Sequence, residues 1–243
     1  VNVPFALFGG PHLIAMASSF VVPAAASLAI RPKARPHFDR ILRWSFAALM
    51  TANWFAWMYL LYAKGWLGPG NELPLNLCDW ATIATVITLL YPNQRTYELA
   101  YFWALAGTLQ GMLTPDVKFE FPDIEFVLFF VFHGGIIASV LYMTIGLGWR
   151  PYPASVPRVI GWSAFYGVVA AFFDWLLGAN YAFLRAKPPF ATVFNFMPEW
   201  PWYIPILVGL GLLSTVIYYS PFFIWDRISG IPAEPASQAA GTS

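Results

Sequence analysis

The sequence predicts an all-α membrane protein with seven transmembrane helices, the N-terminus outside and the C-terminus cytoplasmic. Three observations carry this. Of 243 residues, 59% are hydrophobic and only 10% are charged, against about 25% charged in a soluble domain. The apolar residues fall into seven runs near the length of about 20 residues that a bilayer crossing needs. The lysines and arginines gather in alternate connections, as the positive-inside rule requires.

The first run, Val3 to Ile30, is uncharged. No basic segment precedes it and it is long for a signal peptide, so it reads as a retained first helix. A basic loop follows, with Arg31, Lys33, Arg35, Arg40 and Arg43. Trp44 to Ala63 is the second span, and Lys64 to Glu72 a Gly/Pro turn. Leu73 to Leu90 is the third span, and its opening holds Asn76, Cys78 and Asp79. After a short turn, Tyr97 to Leu113 is the fourth; Gly107 and Gly111 lie four apart, a spacing that lets helices approach closely.

An acidic loop with Asp116, Glu120 and Asp123 leads to the fifth span, Phe126 to Trp149, interrupted only by His133. Val159 to Gly178 is the sixth, with Asp174 near its end. A long polar connection carries Asn180, Arg185 and Lys187, and Pro201 to Trp225 is the seventh. Residues 1–227 therefore read as one transmembrane domain, and 228–243, rich in Ala, Pro, Ser and Gly, as a disordered cytoplasmic tail.

With the N-terminus outside, the inner segments hold Arg31, Lys33, Arg35, Arg40, Arg43, Arg95, Arg150, Arg158 and Arg227, and the outer ones only Lys64, Lys118, Arg185 and Lys187. The net charge of +1 offers no nucleic-acid footprint, and membrane lipids are the expected surroundings. One cysteine excludes an internal disulfide. The histidines, His12, His37 and His133, are too scattered for a metal motif, and no phosphate loop or dinucleotide fingerprint is present. Neither a metal nor an organic cofactor is expected.

Helical rise of about 1.5 Å per residue places the unusual residues by depth. Cys78 and His133 fall roughly 8–10 Å below the outer surface by that rise, and His12 at about 10–14 Å. Asp174 lies about one turn down, and Asp116 and Asn180 in outer loops. One outer layer thus collects His12, Asn76, Cys78, Asp79, Asp116, His133, Asp174 and Asn180, with almost nothing comparable expected in the inner half. Ionisable groups at membrane depth are costly and mark functional sites.

A cysteine beside a histidine suggests nucleophilic catalysis, because the thiolate is the reactive form and an imidazole can take its proton. A carboxylate, from Asp79, Asp116 or Asp174, would then orient the imidazole, and Asn76 would help hold an oxyanion. The competing reading is structural. A buried cysteine commonly acts as a small hydrophobe, His12 could only bridge helices, and Asp79 and Asp174 could only pair with Arg185 or Lys187.

Leu73-Pro74-Leu75-Asn76-Leu77-Cys78-Asp79, Leu113-Thr114-Pro115-Asp116, Phe132-His133-Gly134, Asn180 to Pro188 and Trp200-Pro201-Trp202-Tyr203 resemble, in that order, the YwaF-type bacterial integral membrane family, related to eukaryotic transmembrane protein 164. The resemblance starts at Pro11-His12-Leu13 and runs to the seventh span. It implies a seven-helix fold and a cysteine-dependent transfer of fatty acyl chains between phospholipids. Cys78 would be the acyl-accepting nucleophile and His133 its base. The related androgen-induced hydrolases use threonine and histidine, so a cysteine here favours the transacylase branch over lipid hydrolysis. Asn180, Arg185, Lys187 and His12 would serve substrate binding. The alternative function is a non-catalytic subunit packed in a larger respiratory or photosynthetic membrane complex. A transporter built on Asp79 and Asp174 fits less well, since its charges keep to one leaflet. The expected location is the bacterial inner membrane.

Overall fold

The computed structural model describes residues 3–30, 34–68, 73–189 and 192–230. These residues are helical, without a β-strand among those described; Pro4 and Phe119 form an isolated bridge. The helices are α1 (Gly10–Ile30), α2 (Pro36–Ala63), α3 (Leu77–Leu90), α4 (Gln94–Trp103), α5 (Ile124–Leu141), α6 (Ser155–Leu177) and α7 (Tyr203–Ser229). α4 continues through a π-helical turn, Ala104–Thr108, into Leu109–Leu113, and α5 through another, Tyr142–Gly146. Four stretches are long and apolar enough to cross a membrane: Gly10–Ala29, Ile124–Gly146, Ser155–Leu177 and Tyr203–Ser229.

Local chemistry sets the boundaries, and several differ from the sequence expectation. α2 starts at Pro36, because proline suits the first helical position, so Asp39 to Arg43 are helical and not loop. Asn93 caps α4 three residues earlier than expected, its side chain accepting from the amides of Arg95 at 2.8 Å and Thr96 at 3.3 Å. Asp123 caps α5 in the same way through Glu125 N at 2.9 Å. α6 ends at Gly178, whose φ of +68° is the left-handed turn that glycine takes without strain. α7 runs on to Ser229, so Ile228 belongs to a helix; the rest of the expected tail, 231–243, lies outside the described residues, as do Arg31 and Lys33.

The rods alternate in direction, and contacts at their ends show this. At one end Phe5 N donates to Lys118 O at 3.0 Å, Lys64 pairs with Glu125, and Tyr203 Oη reaches Phe183 O. At the other, Arg43 reaches Leu89 O, Gln94 Nε2 donates to Arg150 O at 2.8 Å, and Arg150 pairs with Asp226. That second end also corrects the expectation of a single layer of buried ionisable groups. Asp39 pairs with Arg43 at 3.0 Å and accepts from Tyr142 Oη, while Arg158 forks onto the buried Glu98 at 2.8 and 2.9 Å. A hydropathy scan counts each of these charges but does not show which partner it meets, so their pairing is invisible in the sequence.

The core sits among α2, α3, α4, α5 and the start of α6, around Met50, Ala81, Leu89, Tyr97, Phe102 and Ile136. The outer faces of α1, α6 and α7 remain exposed and apolar.

Candidate active site

The sequence Leu73-Pro74-Leu75-Asn76 is not helical. It enters the bundle as a bent segment, with Leu75 N donating to Leu73 O at 2.7 Å, and α3 begins inside, at Leu77. Asn76 is the N-cap and Asp79 closes a capping box, its Oδ2 accepting from Asn76 N at 3.0 Å. Two tyrosines clasp the segment. Leu73 N donates to Tyr181 Oη at 3.0 Å, and Tyr166 Oη donates to Leu75 O at 3.0 Å. Tyr166 lies eleven residues before the end of α6, roughly 16 Å along its axis by helical rise. Non-helical backbone at that depth is tolerated only where protein or a cavity satisfies it. The Tyr166 and Tyr181 bonds supply that satisfaction here.

Cys78 is therefore the second residue of a buried helix start, where first-turn amides and the helix dipole favour negative charge. Its side chain is partly buried and borders the main core, as does Phe132 of α5.

His133 is held by α5. Its Nδ1 lies 2.9 Å from Phe129 O. A carbonyl only accepts, so Nδ1 carries the proton and Nε2 keeps its lone pair. The ring stacks on Phe129 with centroids 4.1 Å apart and meets Phe132 edge-on at 5.1 Å. The partner that fixes the tautomer is thus a backbone carbonyl, and none of Asp79, Asp116 and Asp174 is needed for it.

α4 packs against both segments. A β-carbon at Gly107 would stand 2.7 Å from Leu77 Cδ2, and one at Gly111 would stand 3.4 Å from His133 Nε2. Residues four apart share a helix face. The Leu77 side chain, one residue before Cys78, and the basic nitrogen of His133 therefore meet one glycine-lined face of α4, about one turn apart. The π-helical turn lies on this same stretch. Thr108, within it, is 1% exposed, and its hydroxyl has no hydrogen-bond partner among the described residues. Single π turns inside α-helices recur at functional sites. Gly134 and Gly135 serve packing, admitting Ser19 of α1 and Met50 of α2.

The remaining candidates have separate duties. His12 is fully buried, with Nδ1 accepting from Phe8 N at 2.9 Å and Nε2 donating to Met112 O at 2.8 Å. Both nitrogens are engaged, so in this arrangement it pins the N-terminal segment to the end of α4. Asp174 is buried, and its Oδ1 accepts from Tyr181 N at 2.6 Å. It thereby positions the tyrosine that holds Leu73. Its Oδ2 is buried without a partner among the described residues, and the residue borders a cavity of about 210 Å³ with Trp175, Leu184 and Arg185. Asn180 organises the following loop, its Oδ1 accepting from the amides of Arg185 at 2.9 Å and Ala186 at 3.0 Å. Arg185 donates to Asp174 O at 3.0 Å, and Lys187 pairs with Glu199 at 2.8 Å. Asp116 lies exposed in the loop between α4 and α5. Partial burial of its carboxyl raises its pKa, against the opposing charge of Lys118. Among the described residues no group of three or more His, Cys, Asp or Glu could hold a metal.

Sequence reasoning missed Thr108, Tyr166 and Tyr181. The tyrosines look like ordinary apolar residues of a span and a loop, and only the fold turns their hydroxyls onto the Cys78 segment.

A family model described as the TMEM164 family matches residues 7–219. The chain belongs to the TMEM164 family. The matched part of this TMEM164-family chain includes Cys78, His133 and the two tyrosines that clasp the segment before α3. An uncharacterized protein of Treponema pallidum (strain Nichols) is 26% identical over 159 residues, which cover 65% of each chain. The match thus falls just short of two thirds of that relative's length. No solved structure matches.

Proposed function

We propose that this TMEM164-family chain is a YwaF-type lipid acyltransferase that works through a thioester on Cys78. All seven helices cross the bilayer of a bacterial plasma membrane, the N-terminus and the Cys78 end facing outward and the C-terminus cytoplasmic. The observation that carries the reading is the shared face of α4, against which Leu77, the neighbour of Cys78, and the unprotonated Nε2 of His133 both lie.

The chemistry balances on these residues. His133 Nε2 takes the thiol proton while Cys78 Sγ attacks the ester carbonyl of a phospholipid. First-turn amides of α3, and the hydroxyl of Thr108, suit the developing oxyanion. The ester C–O bond breaks, the lysolipid oxygen takes the proton from His133, and the acyl group remains as a thioester. An incoming hydroxyl, from a second lysolipid or from water, gives its proton to His133 and attacks the thioester. Cys78 leaves as thiolate and recovers the proton. Asn180, Arg185 and Lys187 stand near the rim where a head group would rest.

The test is intact-protein mass spectrometry after incubation with phospholipid, before and after hydroxylamine. A fatty-acyl mass on the wild type that hydroxylamine removes, and that neither Cys78→Ala nor His133→Ala acquires, is the expected result. An unmodified thiol across phospholipids of varied head group and chain overturns it.

A further inference from the structure

His12 and His133 both meet the last turn of α4, at neighbouring residues. His12 Nε2 donates to Met112 O at 2.8 Å, and His133 Nε2 faces Gly111. The last carbonyls of a helix have no partner within it. Here Gln110 O accepts from Thr114 N at 3.1 Å, and Met112 O is met by the imidazole carried on α1. The turn so held, Leu109–Leu113, is short, and it follows directly on the π-helical turn.

The ring of His12 is itself fixed. Its Nδ1 accepts from Phe8 N at 2.9 Å, and Phe5, Phe8 and Phe130 stand around it with centroids 5.3, 5.5 and 5.5 Å away. An amide that donates to Nδ1 and a carbonyl that accepts from Nε2 require the neutral ring with its proton on Nε2. Buried, with both nitrogens engaged, it offers no free edge to a substrate.

From Met112 the contact passes on to α5. The Met112 side chain is fully buried with Phe126, Phe130 and Ile137, and Phe129 packs against the same cluster. A β-carbon at Gly134 would stand 3.9 Å from Met112 Cε. Phe129 is the residue whose carbonyl meets His133 Nδ1 and whose ring stacks on the imidazole. The turn that His12 holds therefore reaches His133 twice, at Nε2 through Gly111 and at Nδ1 through the cluster around Met112.

We infer that His12 is a positioning residue for His133: by holding Met112 O it sets where Gly111 lies against the basic Nε2. His12 touches no reacting atom and acts only through α4. Calling His133 a base rests on the thioester reading; the placement of its ring by His12 does not.

The experiment separates the two bonds of His12. In His12→Gln the side-chain amide nitrogen falls near the Nε2 position and keeps the bond to Met112 O. In His12→Asn the shorter amide falls near Nδ1 and keeps only the bond from Phe8 N. Both variants and the wild type are read as purified full chains in detergent. One readout is the rate of acyl-enzyme formation with phospholipid; the other is the ring ¹⁵N spectrum of histidine-labelled protein, in which His133 is assigned by its loss in His133→Ala. A reacting group displaced by about 1 Å is costly, so His12→Asn is expected to acylate about tenfold or more slowly, and His12→Gln within about threefold of the wild type. The His133 resonances should move in His12→Asn and stay in His12→Gln. A merely structural role predicts like effects from both, since each variant loses one bond. Equal rates in the two variants, or His133 resonances unmoved in His12→Asn, overturn the proposal. Should thermal unfolding show that His12→Asn does not fold, Met112→Ala takes its place: it keeps the carbonyl that His12 holds and removes the side chain that packs on α5, and unmoved His133 resonances overturn the proposal there too. A wild type that takes up no acyl group sinks the thioester reading, while the resonances still decide the placement.

Discussion

His133 Nε2 stands 3.4 Å from the point where a β-carbon on Gly111 would lie. The basic nitrogen therefore faces a position with no side chain, and the space beside it is set by a glycine on another helix. Alanine at 111 would just touch the ring, whereas valine would overlap it. The expected outcome is acyl-enzyme formation retained in Gly111→Ala and reduced at least tenfold in Gly111→Val. Thermal unfolding checks that both chains fold; loss in Gly111→Val with an unchanged Tm is the signature of a blocked base.

Gly107 makes the companion prediction on the nucleophile side. A β-carbon there would come within 2.7 Å of the end of the Leu77 side chain, so Leu77 must shift and pull on the Cys78 turn. Gly107→Ala is expected to cost about 1–3 kcal/mol, as overpacking does. Trimming the neighbour relieves it: Gly107→Ala with Leu77→Val should be more stable than Gly107→Ala alone. A double-mutant cycle from denaturant unfolding in detergent measures the coupling, and simple additivity would refute the contact.

Asp116 gives a pH prediction. Burial raises its pKa above the ordinary 3.8, while Lys118 opposes and Glu125 adds to the rise. A raised folded pKa means the fold prefers the protonated carboxyl. Its favourable contribution is present below the unfolded value and is lost as pH rises through the folded value. Asp116→Asn removes that loss. The variant should equal or exceed the wild type in Tm at pH 7, and the gap should close as pH falls toward the ordinary 3.8. A variant less stable at pH 7 would show instead that the ionised carboxylate supports the loop.

The sequence by itself determined that the chain is helical and suited to a membrane, because hydropathy and charge depletion are sums over long runs and survive errors at the edges. It also singled out Cys78 and His133, since a thiol and an imidazole within apolar runs stand out against hydrocarbon whatever their neighbours. The family resemblance read from the motifs around them agrees with the match to the TMEM164 family over residues 7–219.

Only the tertiary structure decided what surrounds them. The break before Leu77 depends on hydroxyls of Tyr166 and Tyr181 arriving from α6 and the loop beyond it. The tautomer of His133 depends on which atom meets Nδ1, and that atom is Phe129 O. The ion pairs at the far end, Asp39–Arg43, Glu98–Arg158 and Arg150–Asp226, are not legible in a linear scan because it counts each charge alone and does not say which residue it meets. Periodicity and hydropathy are local sums along the chain. A site is a meeting of side chains distant in sequence, and that meeting is fixed by packing.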